Sequence, residues 1–174
     1  MKYPNFKKLS IFLLLILIFS GCAPEWQRYN NKEFNFSILL PGPWNIQEGS
    51  FNTVVMAMPN EPQNSQPSYA NINVIVTELS EDLPLSTFFE LNKEELQRTI
   101  VVDNKINDGE IYAGGLLGKS LTFESMLENI RSKTISAVWM KGRRIYTVTC
   151  TCQSKDFPKS KPVFDKVLRS LRVK

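Results

Sequence analysis

Residues 145–152 read Ile-Tyr-Thr-Val-Thr-Cys-Thr-Cys and alternate without a break. In an extended chain Tyr146, Val148, Cys150 and Cys152 share one face and the threonines share the other, the pattern of a half-buried strand. With Arg144 the run makes a strand over 144–152, and only Lys141-Gly142-Arg143 separates it from a second apolar strand over 132–140. A link that short joins antiparallel neighbours, because a parallel partner needs a crossover of a dozen residues or more. The C-terminal half is therefore predicted to be an antiparallel sheet.

The same period recurs upstream. Phe34, Phe36, Ile38 and Leu40 fall on one face before Pro41-Gly42-Pro43 interrupts them, and alternation resumes briefly over 44–47. Further strands are predicted over 51–58, over 70–79 with Ile72, Val74 and Val76 together, and over 106–113. The stretch 59–68 holds Pro59, Pro62 and Pro67 among Asn, Gln and Ser, and reads as a loop. Two segments have helical spacing instead. Leu85, Phe89, Leu96 and Ile100 follow Leu83-Pro84, with Thr87 and Glu90 placed as a capping box. Phe164, Val167, Leu168 and Leu171 recur at i, i+3, i+4 and i+7 after Ser160, a possible N-cap. The sum is an α+β fold: one twisted antiparallel sheet of about seven or eight strands with helices packed on it.

The N-terminus points to a compartment. Lys2, Lys7 and Lys8 precede an apolar run over 9–19, LSIFLLLILIF, which is too short to span a membrane and the right size for a signal-peptide core. Ser20-Gly21-Cys22 then resembles the lipobox of bacterial lipoproteins, in which the Cys thiol is lipidated and the signal removed. The expected organisation is a signal peptide over 1–21, a lipidated N-terminus and tether over 22–31, and a single domain over 32–174. Cys22 is the expected attachment to a membrane, either the outer face of the cytoplasmic membrane or the outer membrane. Removing the signal takes the formal charge from +4 to about +1, so net basicity gives no reason to expect a nucleic-acid partner. The basic residues from Lys155 to Lys174 read as the solvated face of the last helix.

Histidine is absent, which excludes Ser-His-Asp and Cys-His nucleophile systems and the commonest metal ligand. Cys150 and Cys152, at i and i+2 of a strand, have Cα atoms at the edge of disulfide reach. They read as buried thiols, with a strained disulfide or part of a metal site as alternatives. Glu94, Glu95, Asp103 and Asp108 read as solvated helix and loop faces. No catalytic residue, cofactor or metal is expected. Residues 113–120, AGGLLGKS, match the loose form of a nucleotide-binding P-loop with Lys119 as the phosphate lysine. Such a loop needs a strand before it and a helix after it. Phe123, Met126, Leu127 and Ile130 have helical spacing, but Leu117, Leu121 and Phe123 also suit a strand. No later strand ends in an Asp for Mg²⁺. The glycines are expected to permit a turn or a close approach instead, leaving Lys119 solvated.

Together "FNFSILLPGPWNI", "NINVIVTEL" before a Phe-containing helix, a Gly-bearing pair of middle strands, "GRRIYTVTCTC" and a closing F-x-x-V-L-x-S-L helix resemble the PsbP-like proteins. These are relatives of the extrinsic oxygen-evolving subunit of photosystem II. The resemblance spans about residues 29–173. It implies an α/β/α sandwich and a non-enzymatic module that binds membrane-protein complexes, some members being lipoproteins of non-photosynthetic bacteria. The metal-binding histidines of the photosynthetic branch have no counterpart here. The leading expectation is a membrane-anchored binding or assembly module for an envelope or membrane protein complex. The alternatives are a carrier or sensor of a small apolar ligand, and a photosystem II subunit if the host is photosynthetic.

Overall fold

The strands β1 (Trp26–Asn31), β2 (Phe36–Pro41), β3 (Trp44–Glu48), β4 (Val55–Pro59) and β5 (Asn71–Glu78) lead into helix α1 (Leu85–Thr99). Four long strands come next, β6 (Val101–Ala113), β7 (Leu116–Leu127), β8 (Ile130–Lys141) and β9 (Arg144–Gln153), then helix α2 (Phe157–Arg169) and the short β10 (Arg172–Val173). The computed structural model describes residues 25–50, 52–60, 70–99, 101–127 and 129–174. Cys22 and the expected signal peptide lie outside these residues, as does most of the expected loop over 59–68.

Seven strands form one antiparallel sheet in the order β3-β4-β5-β9-β8-β7-β6. It is two meanders joined where β5 pairs with β9, from Asn71↔Thr151 to Glu78↔Arg144. A second sheet of three strands, β1-β2-β10, packs against it.

Alternation assigns the faces of the large sheet. Val74, Ile135, Ala137, Trp139, Tyr146, Val148, Cys150 and Cys152 point toward α2 and the small sheet, where Phe36, Ile38, Leu40, Phe164, Val167 and Leu168 complete one core. The opposite face carries Leu121, Phe123, Val138 and Ile145, which pack against Phe89 of α1. Helices thus cover both faces, the α/β/α arrangement expected. Tyr146, only 2% exposed, donates its hydroxyl to the Phe34 carbonyl at 2.9 Å, tying the large sheet to the start of β2.

Several boundaries differ from the expectation. Residues 22–31 are expected as a tether, but Trp26–Asn31 is β1, paired with β2 from Trp26↔Pro41 to Asn31↔Phe36. Its polar composition hides it, because its stability comes from that pairing. β2 and β3, separated by two residues, lie in different sheets. Pro41 and Pro43 flank the corner and neither donates a ladder hydrogen bond, so the chain changes sheet instead of closing a hairpin. β4 begins at Val55, not at 51, because Asn52 takes a left-handed φ of 59°. α1 begins at Leu85, with the Phe88 amide donating to the Pro84 carbonyl at 3.1 Å, which puts Thr87 inside the first turn and not at the cap. α2 begins at Phe157, three residues before Ser160, because Pro158 suits the first turn of a helix.

Candidate functional site

The P-loop lookalike is a β-hairpin. β6 and β7 close at Ala113↔Leu116, with Gly114 and Gly115 at φ 56° and 82°. Two successive left-handed residues make the turn that matches strand twist, and glycine adopts them without strain. The turn runs directly into β7, a strand, so no helix N-terminus faces the loop and nothing assembles a phosphate cradle. Gly118 has a different role. A Cβ there would lie 2.5 Å from the Val138 carbonyl oxygen and 2.6 Å from Nε1 and Cδ1 of Trp139. Lys119 is half-buried, not fully solvated: its Nζ stands 5.0 Å from the centre of the Phe89 ring, because α1 packs over this part of the sheet.

Cys150 and Cys152 are free thiols, 0% and 1% exposed. Burial pushes both thiols up, with Asp165 and Cys152 adding to the effect on Cys150, and Ser160 opposing it and Asp156 adding to it on Cys152. A buried thiol held protonated is a poor nucleophile. Two of the scattered acids, Glu95 and Asp108, sit in ion pairs on the surface. Glu95 meets Arg98 at 2.6 Å, and Asp108 of β6 meets Lys93 of α1. The hydrogen bond from Lys93 holds the Asp108 carboxyl below the usual carboxylate range, and the same bond raises the Lys93 ammonium. Glu94 is exposed, and the side chain of Asp103 lies outside the described ones. Among the described residues, no three His, Cys, Asp or Glu side chains gather as a metal site, and no helix is long and apolar enough to cross a membrane.

Two surface features emerge that sequence reasoning missed. At the tip of the β6–β7 hairpin, Tyr112 and Leu117 are cross-strand partners, 63% and 44% exposed. At the other end of the same strands is a recess of about 260 Å³ lined by Lys105, Asn107, Thr122, Phe123, Glu124, Arg131 and Lys133. Register assembles it: Glu124 faces Lys133, and Met126 faces Arg131. The one local signal was Arg131 and Lys133 at i and i+2 of a strand, which places both on one face.

This arrangement, a seven-stranded antiparallel sheet between a helix on one face and a helix with a small sheet on the other, is the PsbP-like fold. Cyanobacterial PsbP (CyanoP) from Synechocystis superposes with a TM-score of 0.63 at 15% identity, over 89% of this chain and 96% of that one. LpqN of Mycobacterium tuberculosis, described as involved in cell envelope biogenesis, superposes with a TM-score of 0.66 at 8% identity, over 86% and 90%. No protein-family model matches the sequence, and no curated protein matches it. At such identities the likeness establishes the fold.

Proposed function

We propose that the protein is a lipid-anchored, non-enzymatic binding or assembly module of the cell envelope, held to a membrane through Cys22 and engaging a protein partner with the β6–β7 hairpin tip. The observation that carries this reading is the exposed Tyr112–Leu117 pair. Aromatic and aliphatic side chains left in water on a rigid hairpin are the chemistry of an interface anchor. The packing between sheet and helices supports a binding surface over an apolar-ligand carrier. Trp139, Val148, Phe164 and Val167 are all 0% exposed and fill the space a carried ligand would need. The envelope role described for LpqN and the lipobox resemblance at Cys22 support the location.

The test is photocrosslinking from position 112 in the full chain, in membranes of its own host. A discrete membrane-protein adduct is expected, and Leu117→Ser should abolish it. Adduct formation unchanged by Leu117→Ser would reject the hairpin tip as the contact.

A further inference from the structure

We propose that the outward face of α2, with Trp26 and Arg28 of β1, lies on an anionic phospholipid surface and sets how the domain sits on its membrane. α2 is amphipathic. Phe164, Val167 and Leu168 face the core, and Lys159, Lys166 and Arg169, at i, i+7 and i+10, are exposed on the opposite side. The small sheet continues that side. Lys166 Nζ stands 4.1 Å from the centre of the Trp26 ring, and the Leu39 amide donates to Ser170 Oγ at 2.8 Å, joining β2 to the end of α2. Trp26 and Arg28 share a face of β1 by alternation, and Arg28 Nη1 donates to Ser37 Oγ at 3.2 Å. Ser37 pairs in turn with Arg172 of β10, which puts that exposed arginine on the same face.

Charge and reach set the occupant. The elements β1, β2, α2 and β10 contain six basic residues, Arg28, Lys159, Lys161, Lys166, Arg169 and Arg172, and one acid, Asp165. Asp165 pairs with Lys161 at 2.7 Å, and the other five cations have no carboxylate partner among the described residues. Glu25, one residue before β1, offsets only part of the excess. α1, on the opposite face of the large sheet, holds three acids and two basic residues, so the excess is one-sided. Anionic headgroups attract such a cluster, and the attraction fades within about 8–10 Å at ordinary ionic strength. The tether brings the cluster within reach of that zone: Cys22 lies four residues before Trp26, at most about 14 Å at 3.3–3.6 Å per residue. This step rests on the anchor proposed above. Trp26 suits the same surface, because indole rings favour the membrane–water interface. The β6–β7 turn borders this surface, since a Cβ on Gly114 would stand 2.7 Å from the Leu171 carbonyl oxygen. The hairpin tip is thereby held near the bilayer, where a membrane-protein partner would meet it.

Lysine footprinting of the mature protein tests this. The protein is purified from membranes of its own host, added to preformed phosphatidylcholine vesicles with or without phosphatidylglycerol, and treated briefly with an amine-acetylating reagent. Phosphatidylglycerol should slow acetylation of Lys159 and Lys166 about fivefold or more, the weight of at least one basic residue at an anionic surface, and leave Lys93 of α1 unchanged. About 1 M NaCl, where the Debye length is about 3 Å, should remove the protection. Lys159→Glu combined with Arg169→Glu should remove it at Lys166. The mass of the N-terminal peptide from the same sample separates the two proposals. Equal acetylation in both vesicles with an acyl group on Cys22 rejects the lipid-facing surface and leaves the anchor standing. Protection without an acyl group rejects the anchor and leaves the surface standing. Protection of Lys93 equal to that of Lys166, or a double variant still protected at Lys166, would also overturn the assignment.

Discussion

The indole of Trp139 lies against Gly118 of the neighbouring strand so closely that Nε1 and Cδ1 occupy the place of a Cβ, each 2.6 Å from where it would stand. Trp139 is 0% exposed, with the Val138 carbonyl crowding the same point. Gly118→Ala should therefore cost about 1–3 kcal/mol, the range for overpacking a filled core. Urea denaturation measures it, and a midpoint equal to wild type would mean that the ring moves aside freely.

Lys119 stands next in the chain but contributes through its contact with Phe89. Lys119→Ala should cost about 0.5–1 kcal/mol, as for a cation over a ring that water still reaches, and less than Gly118→Ala. Mg-ATP should give no titration heat with either protein. Micromolar ATP binding lost in Lys119→Ala would reinstate a phosphate-binding loop at residues 113–120.

The ion pair between Lys93 and Asp108 makes stability depend on pH at both extremes. Asp108 has a folded pKa below its unfolded value near 3.9, so its contribution is present above about pH 3.9 and is lost as pH falls through the folded value. Lys93 has a raised pKa, so its contribution is present below about pH 10.4 and is lost as pH rises through the folded value. Asp108→Asn should lower the thermal midpoint at pH 7, and the difference from wild type should shrink as acidification carries the pH below about 3.9 and through the folded carboxyl's lower value. A wild-type advantage that stays constant throughout an acid titration would exclude the pair as its source.

Cys150 and Cys152 should react with a thiol reagent only as fast as the core opens. Both hold their protons above the free-thiol value near 8.5, so raising the pH past that value favours the unfolded chain. Stopped-flow labelling with and without denaturant checks this, alongside an intact mass. Rapid labelling of both in the native state, or a mass two hydrogens below the dithiol, would contradict it.

Cys22 carries the proposed anchor. Cys22→Ser should leave the chain unprocessed or released from the membrane fraction. An N-terminal peptide of the wild-type protein with no acyl group by mass spectrometry would end the proposal.

Most strands were legible because alternation on a two-faced sheet is a local property. Tyr146, Val148, Cys150 and Cys152 had to share a buried face whatever their partners were. Pairing was less legible where proline intervened: Pro41 and Pro43 marked a break in alternation but not a change of sheet. β1 was missed because Gln27, Arg28, Asn30 and Asn31 carry no apolar pattern and gain order only beside β2. Helix caps were misplaced by three or four residues because Thr87 and Ser160 look like caps, whereas Pro84 and Pro158 set the boundaries. The recess was invisible for a stronger reason. Lys105, Glu124 and Lys133 are far apart in the chain, and only the register of three strands brings them together.

The junction of the two meanders has a kinetic consequence. Every other strand pair in the large sheet joins consecutive strands, but β5 meets β9, with Glu78 and Arg144 in contact across 66 residues of sequence. In a chain that emerges from its N-terminus, the inner edge of β5 stays unpaired until β9 has been made, and closing so long a loop is slow relative to hairpin formation. The β3-β4-β5 meander therefore waits with an open apolar edge, Ile72 and Val74 included, and that interval is when a chaperone or a second chain has access to it.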